Sequence, residues 1–195
     1  MNDLAVLILG GSVTGGSGLQ NRAELSWPKA LDNVHATARF KGAIDPSYFL
    51  HCTDRFVEHS YDVVLFDLGA NMVAPGSASS LVALIRRVRC LANASAVGIV
   101  NWPGNSAWHN ADRTRWAANE ARAALVEVPH GPEFYSNDRV HPNARGHALI
   151  AERVRAYLDS VKTSRPNAPS APDDCAAPLP EWCYPSAPAM PVMRD

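Results

Sequence analysis

Short apolar runs alternate along the chain with longer amphipathic stretches, and this alternation restricts the possible folds more than any other feature. The runs have strand length and few polar interruptions, as expected for strands that are buried on both faces of a parallel sheet. We predict strands at residues 4–9, 34–40, 61–68, 95–102 and 123–128. Apolar residues at helical spacing predict helices over 24–34, 80–92, 109–125 and 143–161. Right-handed crossovers between the strands then give a three-layer α/β/α domain over residues 1–162, with a central parallel sheet of about five strands.

Residues 163–195 differ in composition from the rest of the chain. Eight prolines stand in this segment, and no apolar periodicity continues through it. We predict a Pro-rich tail that is either a linker or an extended strap laid over the domain. The side chains of Trp182 and Tyr184 favour the strap, because their exposure to water is unfavourable. Cys175 and Cys183 lie close enough in this tail for a local disulfide.

The charge and the apolar pattern argue against several classes of partner. The formal net charge is -1, and the basic residues are scattered along the chain. We therefore expect no nucleic-acid or anionic-membrane partner, since such partners require a concentrated basic patch. No run approaches the roughly 18 apolar residues that span a bilayer, and residues 4–9 are too short for the core of a signal peptide.

Cysteine usage bears on metal binding and on the compartment. No cysteine or histidine has the spacing of a zinc site, and we expect no metal and no cofactor. Cys52 and Cys90 lie in apolar segments, and we interpret them as buried free thiols. The tail cysteines and the sequon at residues 93–95 favour a secreted or lumenal protein, with a cytoplasmic one as the alternative.

A glycine-rich segment, GGSVTGGSG (10–18), follows the first predicted strand. Ligands of parallel α/β folds gather at this carboxyl edge of the sheet. A phosphate-binding P-loop is excluded because Gly16 stands where the lysine is required, and a dinucleotide fingerprint because Asn21 replaces its third glycine. The G-x-S-x-G elbow of α/β-hydrolases is excluded by Thr14. Two interpretations are left for Ser12, a nucleophile flanked by small residues or part of a plain turn.

A serine nucleophile needs a base, and one histidine stands out. Asp138 precedes His141 by three residues in a loop that Pro142 closes before the last predicted helix. At this spacing the carboxylate can accept the Nδ1–H of the imidazole and leave Nε2 free for Ser12. Asp138 could equally be a turn or cap residue. We expect His147, one of the other histidines, to face outward on the last helix.

Asn71 follows the third predicted strand in the segment FDLGANM. Its side-chain NH₂ can donate a hydrogen bond to an oxyanion in the same cleft. Asparagine is also a routine turn residue, which is the alternative explanation.

The segments ILGGSVTGG, VVLFDLGANM and DRVHPNARGH occur in this order on the α/β pattern. Together they resemble the motifs of the SGNH hydrolases, also called GDSL-type esterases and lipases, over residues 4 to about 160. The resemblance implies a flavodoxin-like sandwich and a serine that is first acylated and then deacylated by water. It further implies that Ser12 is the nucleophile, His141 the base and Asp138 its orienting partner.

The resemblance also implies an oxyanion hole formed by Asn71, the backbone N–H of Ser12 and a glycine after the second strand. The name-giving G-D-S motif reads Gly10-Gly11-Ser12 here, and the missing aspartate is not a triad residue. Gly42 is the candidate for the oxyanion glycine, although Asp45 stands nearer the expected position. A carboxylate there would repel an oxyanion and give a weak or altered enzyme.

The resemblance implies a serine esterase that removes an acyl group, often acetyl, from a small-molecule or glycan ester. The chain has no long apolar lid segment of the kind that would suggest a lipid substrate. Alternatives are an O-acyltransferase acting on a sugar hydroxyl and a non-catalytic glycan-binding module that keeps the fold. Aromatic residues expected near the cleft suit stacking on a sugar or ordinary packing: Tyr48, Trp102, Trp108, Phe134 and Tyr135.

Overall fold

The computed structural model of the chain describes residues 3–51, 53–102, 107–164 and 192–193. In these ranges six strands form one sheet: β1 (Leu4–Gly10), β2 (Val34–Phe40), β3 (Val63–Asp67), β4 (Ala96–Asn101), β5 (Ala124–Glu127) and β6 (Val192–Met193). The strand order is β5-β4-β3-β1-β2-β6. The first five strands are parallel, and β6 pairs antiparallel with β2. The predicted parallel sheet of about five strands is therefore confirmed.

The described helices are α1 (Arg22–Leu25), α2 (Ser47–His51), α3 (Ser77–Ala92), α4 (Ala107–Glu120) and α5 (Ala144–Ser164). The predictions of the three long helices are confirmed, although α4 ends five residues before the predicted boundary at residue 125. The single helix predicted over 24–34 is wrong. Instead α1 ends at Leu25, a 3₁₀ turn spans Trp27–Ala30, and β2 has begun by Val34. Pro28 lacks a backbone N–H and disfavours helical backbone at the residue before it, which prevents one continuous helix.

The sheet is covered on both faces, which explains the uninterrupted apolar runs. Alternate strand side chains point to opposite faces, so Leu7 and Leu9 of β1 enter one core while Val6 and Ile8 enter the other. Residues of α2, α3 and α4 complete the first core, and α5 completes the second together with Trp27. The result is the predicted three-layer sandwich.

Three neighbouring strands end at the same level and bring their following loops together. In the sheet register Gly10 at the end of β1 pairs with Phe40 of β2 on one side and with Asp67 of β3 on the other. The loops that begin at residues 11, 41 and 68 therefore leave the same carboxyl edge side by side. Ser12, Gly42 and Asn71 lie in these loops, whereas Asp138 and His141 lie in the loop before α5.

One of the cysteine predictions is contradicted by a disulfide. Cys90 is disulfide-bonded, so its interpretation as a free thiol is wrong, and its partner lies outside the described residues. Disulfide pairing depends on the approach of two Cα atoms in the fold, which the apolar surroundings in the sequence do not reveal. Cys52 and the tail residues 165–191, with the proposed Cys175–Cys183 pair, also lie outside the described ranges.

The sheet and helices that are described include no candidate membrane span. Within the searched ranges no helix combines the length and the apolar character needed to cross a bilayer.

Candidate active site

The loop after β1, residues 11–18, is a tight turn closed by its own backbone. Ser17 donates its N–H to the carbonyl of Ser12 at 2.9 Å, and Gly16 donates to Val13 at 3.0 Å. Gly11 donates its N–H to the carbonyl of Asp67 at 3.0 Å, which fixes the start of the loop to β3. Ser12 is partly exposed at this point. We call residues 11–18 the serine loop.

The buried carboxylate of Asp67 binds the serine loop. The Oδ2 atom of Asp67, at the end of β3, accepts hydrogen bonds from the hydroxyl of Thr14 at 2.7 Å and from the indole N–H of Trp27 at 3.1 Å. Asp67 is 2% exposed. Burial raises its pKa to about 6, although both hydrogen bonds act in the opposite direction. Sequence reasoning missed this residue, and the signal was an aspartate ending an otherwise apolar strand.

The hydroxyl of Ser12 meets the loop before α5. His141 Nε2 lies 2.8 Å from Ser12 Oγ, and His141 Nδ1 lies 2.6 Å from Asp138 Oδ2. With the proton on Nδ1, the imidazole donates to Asp138 and Nε2 accepts the hydrogen bond of the serine. The three predicted residues, separated by up to 129 positions in sequence, thus form one hydrogen-bonded series.

The local turn before α5 fixes the carboxylate of Asp138. Its Oδ1 accepts hydrogen bonds from the hydroxyl of Ser136 at 2.7 Å and from the N–H groups of Val140 and His141, both at 2.9 Å. Partial desolvation acts to raise the pKa of Asp138. The hydrogen bonds from the ring and backbone of His141, with the others, outweigh it and hold the pKa well below the usual range. Asp138 is therefore an anion around neutral pH.

The loop before α5, residues 135–143, is called the histidine loop here, and it is anchored to the sheet and to α5. The indole N–H of the buried Trp102, just after β4, donates to the carbonyl of Val140 at 3.2 Å. Asn143 accepts the N–H of Gly146 at 3.0 Å, as a helix N-cap does. Its side-chain NH₂ donates to the backbone carbonyls of Tyr135 at 3.0 Å and Glu133 at 2.8 Å. These contacts keep the loop against the serine loop.

Gly18 allows this approach. Its φ is +96°, a conformation that side chains disfavour, and a Cβ there would lie only 3.0 Å from the Cβ of His141.

Asn71 lies directly against the serine loop. A Cβ built on Gly11 would be 2.5 Å from Asn71 Nδ2, so only glycine at this position leaves the amide where it is. The short turn at Gly69–Asn71 follows β3, and α4 supports it from behind, since Arg113 donates to the carbonyl of Met72.

Gly42 also lies beside the serine. A Cβ built on it would be 3.8 Å from the Cβ of Ser12, which is van der Waals contact. The carboxylate of Asp45, which would repel an oxyanion if it lay at the oxyanion position, is bound elsewhere. One carboxylate oxygen of Asp45 accepts the N–H of Ser47 at 3.0 Å, and the other accepts the hydroxyl of Ser77. The carboxylate is thus engaged at the starts of α2 and α3.

No protein-family model and no curated protein sequence matches the chain. Solved structures do match. The esterase EstA from Pseudoalteromonas sp. aligns with 83% of this chain and 100% of its own, at a TM-score of 0.66 and 22% identity. A two-domain esterase active on acetylated mannans aligns with 91% of this chain and 54% of its own, at a TM-score of 0.68 and 23% identity. A protein of Slackia heliotrinireducens assigned to the SGNH hydrolases aligns with 80% of this chain and 100% of its own, at a TM-score of 0.65 and 19% identity.

The chain has the fold of the SGNH hydrolases. In this fold the described strands β2, β1 and β3 carry the loops with Gly42, Ser12 and Asn71 at one edge. The loop with Asp138 and His141 joins them from the start of α5.

One histidine of this SGNH-type fold was mispredicted. His147 does not face outward but is fully buried. Its Nδ1 accepts the backbone N–H of Trp27 at 3.3 Å, and its Nε2 lies 3.5 Å from the carbonyl of Ser17. Burial lowers its pKa to about 4, so the ring is neutral. The signal was present in the sequence, since Ile150 and Ala151 follow His147 at the spacing of one helix face.

The aromatic residues expected near the cleft differ in their contacts. Trp102 is buried and packs at 4.8 Å from the ring of Tyr135, so it serves as packing. Tyr48 lies under the ammonium group of Lys41 at 4.5 Å. The side chain of Trp108 lies outside the described residues. No group of three His, Cys, Asp or Glu side chains in the described ranges could hold a metal ion.

Proposed function

We propose that the chain is a serine esterase that removes an acyl group from an ester through an acyl-enzyme intermediate. The observation that carries this proposal is the hydrogen-bonded series Ser12–His141–Asp138, with separations of 2.8 and 2.6 Å. A serine hydroxyl becomes a competent nucleophile when an adjacent base takes its proton and a third group orients that base.

In the acylation half-reaction, Ser12 Oγ attacks the carbonyl carbon of the ester while its proton moves to His141 Nε2. The imidazolium that forms is stabilised by the anionic Asp138, which accepts its Nδ1–H. The tetrahedral intermediate then collapses. The bond from the carbon to the alcohol oxygen breaks, His141 returns the proton to that oxygen, and the alcohol leaves.

In the deacylation half-reaction, water replaces the alcohol. His141 Nε2 takes a proton from the water as its oxygen attacks the acyl carbon. The second tetrahedral intermediate releases the carboxylic acid when the bond to Ser12 Oγ breaks, and the proton returns to that oxygen. The serine is thereby regenerated.

We assign the oxyanion of both intermediates to the backbone N–H groups of Ser12 and Gly42 and to the side-chain NH₂ of Asn71. The contacts that support this assignment are the van der Waals separation of Gly42 from Ser12 and the close packing of Asn71 on Gly11. In the described ranges no other hydrogen bond engages the N–H of Ser12 or Gly42. Donors that are already oriented toward developing charge lower the barrier strongly.

For the substrate, we propose an acetyl ester of a carbohydrate. The support is the fold similarity to the esterase that is active on acetylated mannans. An acyltransferase would share the first half-reaction and would differ only when a sugar hydroxyl replaces water. Product analysis distinguishes the two: release of acetate with and without an added sugar acceptor indicates hydrolysis, and an acetylated acceptor indicates transfer.

The mechanism is tested by hydrolysis of p-nitrophenyl acetate. We expect Ser12→Ala and His141→Ala to lower kcat by at least about 10³-fold. Ser17→Ala, which removes another hydroxyl of the same loop, is the matched control and keeps wild-type activity. Unchanged hydrolysis in Ser12→Ala would exclude the proposed mechanism, and so would the absence of activity from the wild-type protein on acetyl esters.

A further inference from the structure

The loop that carries Gly42 begins at the edge of the sheet. Lys41 donates its N–H to the carbonyl of Gly10 at 3.2 Å, one residue beyond the end of β2. This bond continues the pairing of β2 with β1 up to the serine loop. Gly42, the next residue, contacts Ser12. We call residues 41–46 the Gly42 loop.

The backbone of the Gly42 loop adopts a conformation that needs external support. Ala43 has a φ of +55°, in the left-handed region that a residue with a Cβ disfavours. Gly42 itself is exposed to solvent. A loop with an unfavourable backbone conformation next to an exposed residue keeps its shape only if both of its ends are fixed.

The far end of the loop is fixed by Asp45. Ile44 enters the core beside α3, and Asp45 accepts the N–H of Ser47 at 3.0 Å. The second oxygen of Asp45 accepts the hydroxyl of Ser77, the first residue of α3. Ser77 is only 2% exposed and is 32 positions away in the sequence. This hydrogen bond therefore ties the Gly42 loop to a long core helix.

We infer that Asp45 and Ser77 form an anchor that positions the N–H of Gly42 beside Ser12. The inference rests on the proposed function, because it gives the anchor a role in stabilising the oxyanion. Neither residue touches the substrate, and both act through Gly42. Displacement of an oxyanion donor by a fraction of its hydrogen-bond length weakens the transition state more than it weakens substrate binding.

The kinetic test compares Ser77→Ala and Asp45→Asn with wild type on p-nitrophenyl acetate. We expect kcat to fall about 10-fold to 100-fold in each variant with KM changed less than about twofold. Ser77→Thr keeps the hydroxyl and restores most of kcat, and the double variant is no worse than either single one. Ser79→Ala, on the exposed face of the same helix, is the control. Full kcat in Ser77→Ala, or a rise in KM alone, would overturn the anchor.

Hydrogen–deuterium exchange tests the anchor without relying on catalysis. We expect the peptide that contains residues 41–45 to exchange faster in Ser77→Ala and Asp45→Asn than in wild type and Ser79→Ala. Unchanged exchange would overturn the anchor even if the wild-type protein is an esterase. Faster exchange in a protein that does not hydrolyse esters would keep the anchor as a structural tie and reject its role in catalysis. Thermal unfolding of each variant shows whether the fold is kept.

Discussion

Gly11 is the residue at which the chain departs from the motif that names the SGNH hydrolases, and its surroundings give a reason. Any side chain there would collide with the amide of Asn71, which lies 2.5 Å from the position of a Cβ. Glycine therefore lets the amide pack directly on the residue that precedes Ser12. The departure fits an oxyanion hole adapted to close packing better than it fits a loss of activity.

We predict that Gly11→Ala lowers kcat on p-nitrophenyl acetate by about 10-fold or more, because the methyl group displaces the donor. The loss should disappear in an Asn71→Ala background, where no amide is left to displace. Equal losses in both backgrounds would mean that Gly11 acts independently of Asn71.

Individual site residues differed in how well the sequence predicted them. Ser12 and His141 could be proposed because their chemistry depends on residue type, order and short spacing. The contact between Asp45 and Ser77 could not, because it joins residues 32 positions apart through the packing of α2 on α3. For the same reason the sequence left open whether the Asp45 carboxylate lies at the oxyanion position. In the structure this carboxylate accepts hydrogen bonds from Ser47 and Ser77.

The side chain of Asn143 joins the histidine loop to α5. Asn143 caps the helix by accepting the N–H of Gly146, and its NH₂ holds the preceding loop. We predict that Asn143→Ala lowers the free energy of unfolding by about 1–2 kcal/mol, measured by urea denaturation. The exposed Asn137→Ala in the same loop should change it by less than about 0.5 kcal/mol. Equal stability of the two variants would contradict the capping role.

Secondary structure was predictable where a single periodicity continues over a whole element. The residues of β1 and α3 are buried in the expected pattern, and their predicted positions agree with the structure. The segment 24–34 failed because Trp27 and Leu31 have helical spacing but Pro28 breaks the backbone. The spacing of buried apolar side chains alone therefore did not distinguish one long helix from a short helix followed by a 3₁₀ turn.

At the scale of the whole molecule, two buried titratable groups bind the same residue and respond to pH in opposite directions. Trp27 donates its indole N–H to Asp67 and its backbone N–H to His147. The folded pKa of Asp67, about 6, is above its ordinary value of 3.8, so its contribution to stability is full below about pH 4 and is lost as pH rises to 6. The folded pKa of His147, about 4, is below 6.5, so its contribution is full above pH 6.5 and is lost as pH falls to 4.

These opposite slopes predict how stability depends on pH. Each group contributes on the order of 2–3 kcal/mol between about pH 4 and 6.5, and in wild type the two largely cancel. As the pH falls from about 6.5 to 4, the free energy of unfolding of Asp67→Asn should decrease relative to wild type, because only the His147 contribution is left. Over the same range that of His147→Gln should increase, because only the Asp67 contribution is left. Urea denaturation across this range measures both. Parallel pH profiles for all three proteins would contradict the two pKa shifts.

The three layers, the parallel sheet and the carboxyl-edge location of the motifs could be predicted for the described part of the chain, because alternating strand and helix periodicities indicate a parallel α/β topology. No strand order was predicted, because these periodicities do not specify which strands are neighbours. The disulfide at Cys90 and the pairing of β6 with β2 could not, since both join distant parts of the chain.

In the proposed mechanism Ser12, activated by His141, forms a covalent intermediate. The most direct measurement is reaction of the wild-type protein with a fluorophosphonate, followed by mass spectrometry of its peptides. We expect one adduct on the peptide that contains Ser12, and strongly reduced labelling in His141→Ala and Ser12→Ala. We also expect unchanged labelling in Ser17→Ala. No labelling of the wild-type protein, or labelling that persists in Ser12→Ala, would contradict this mechanism.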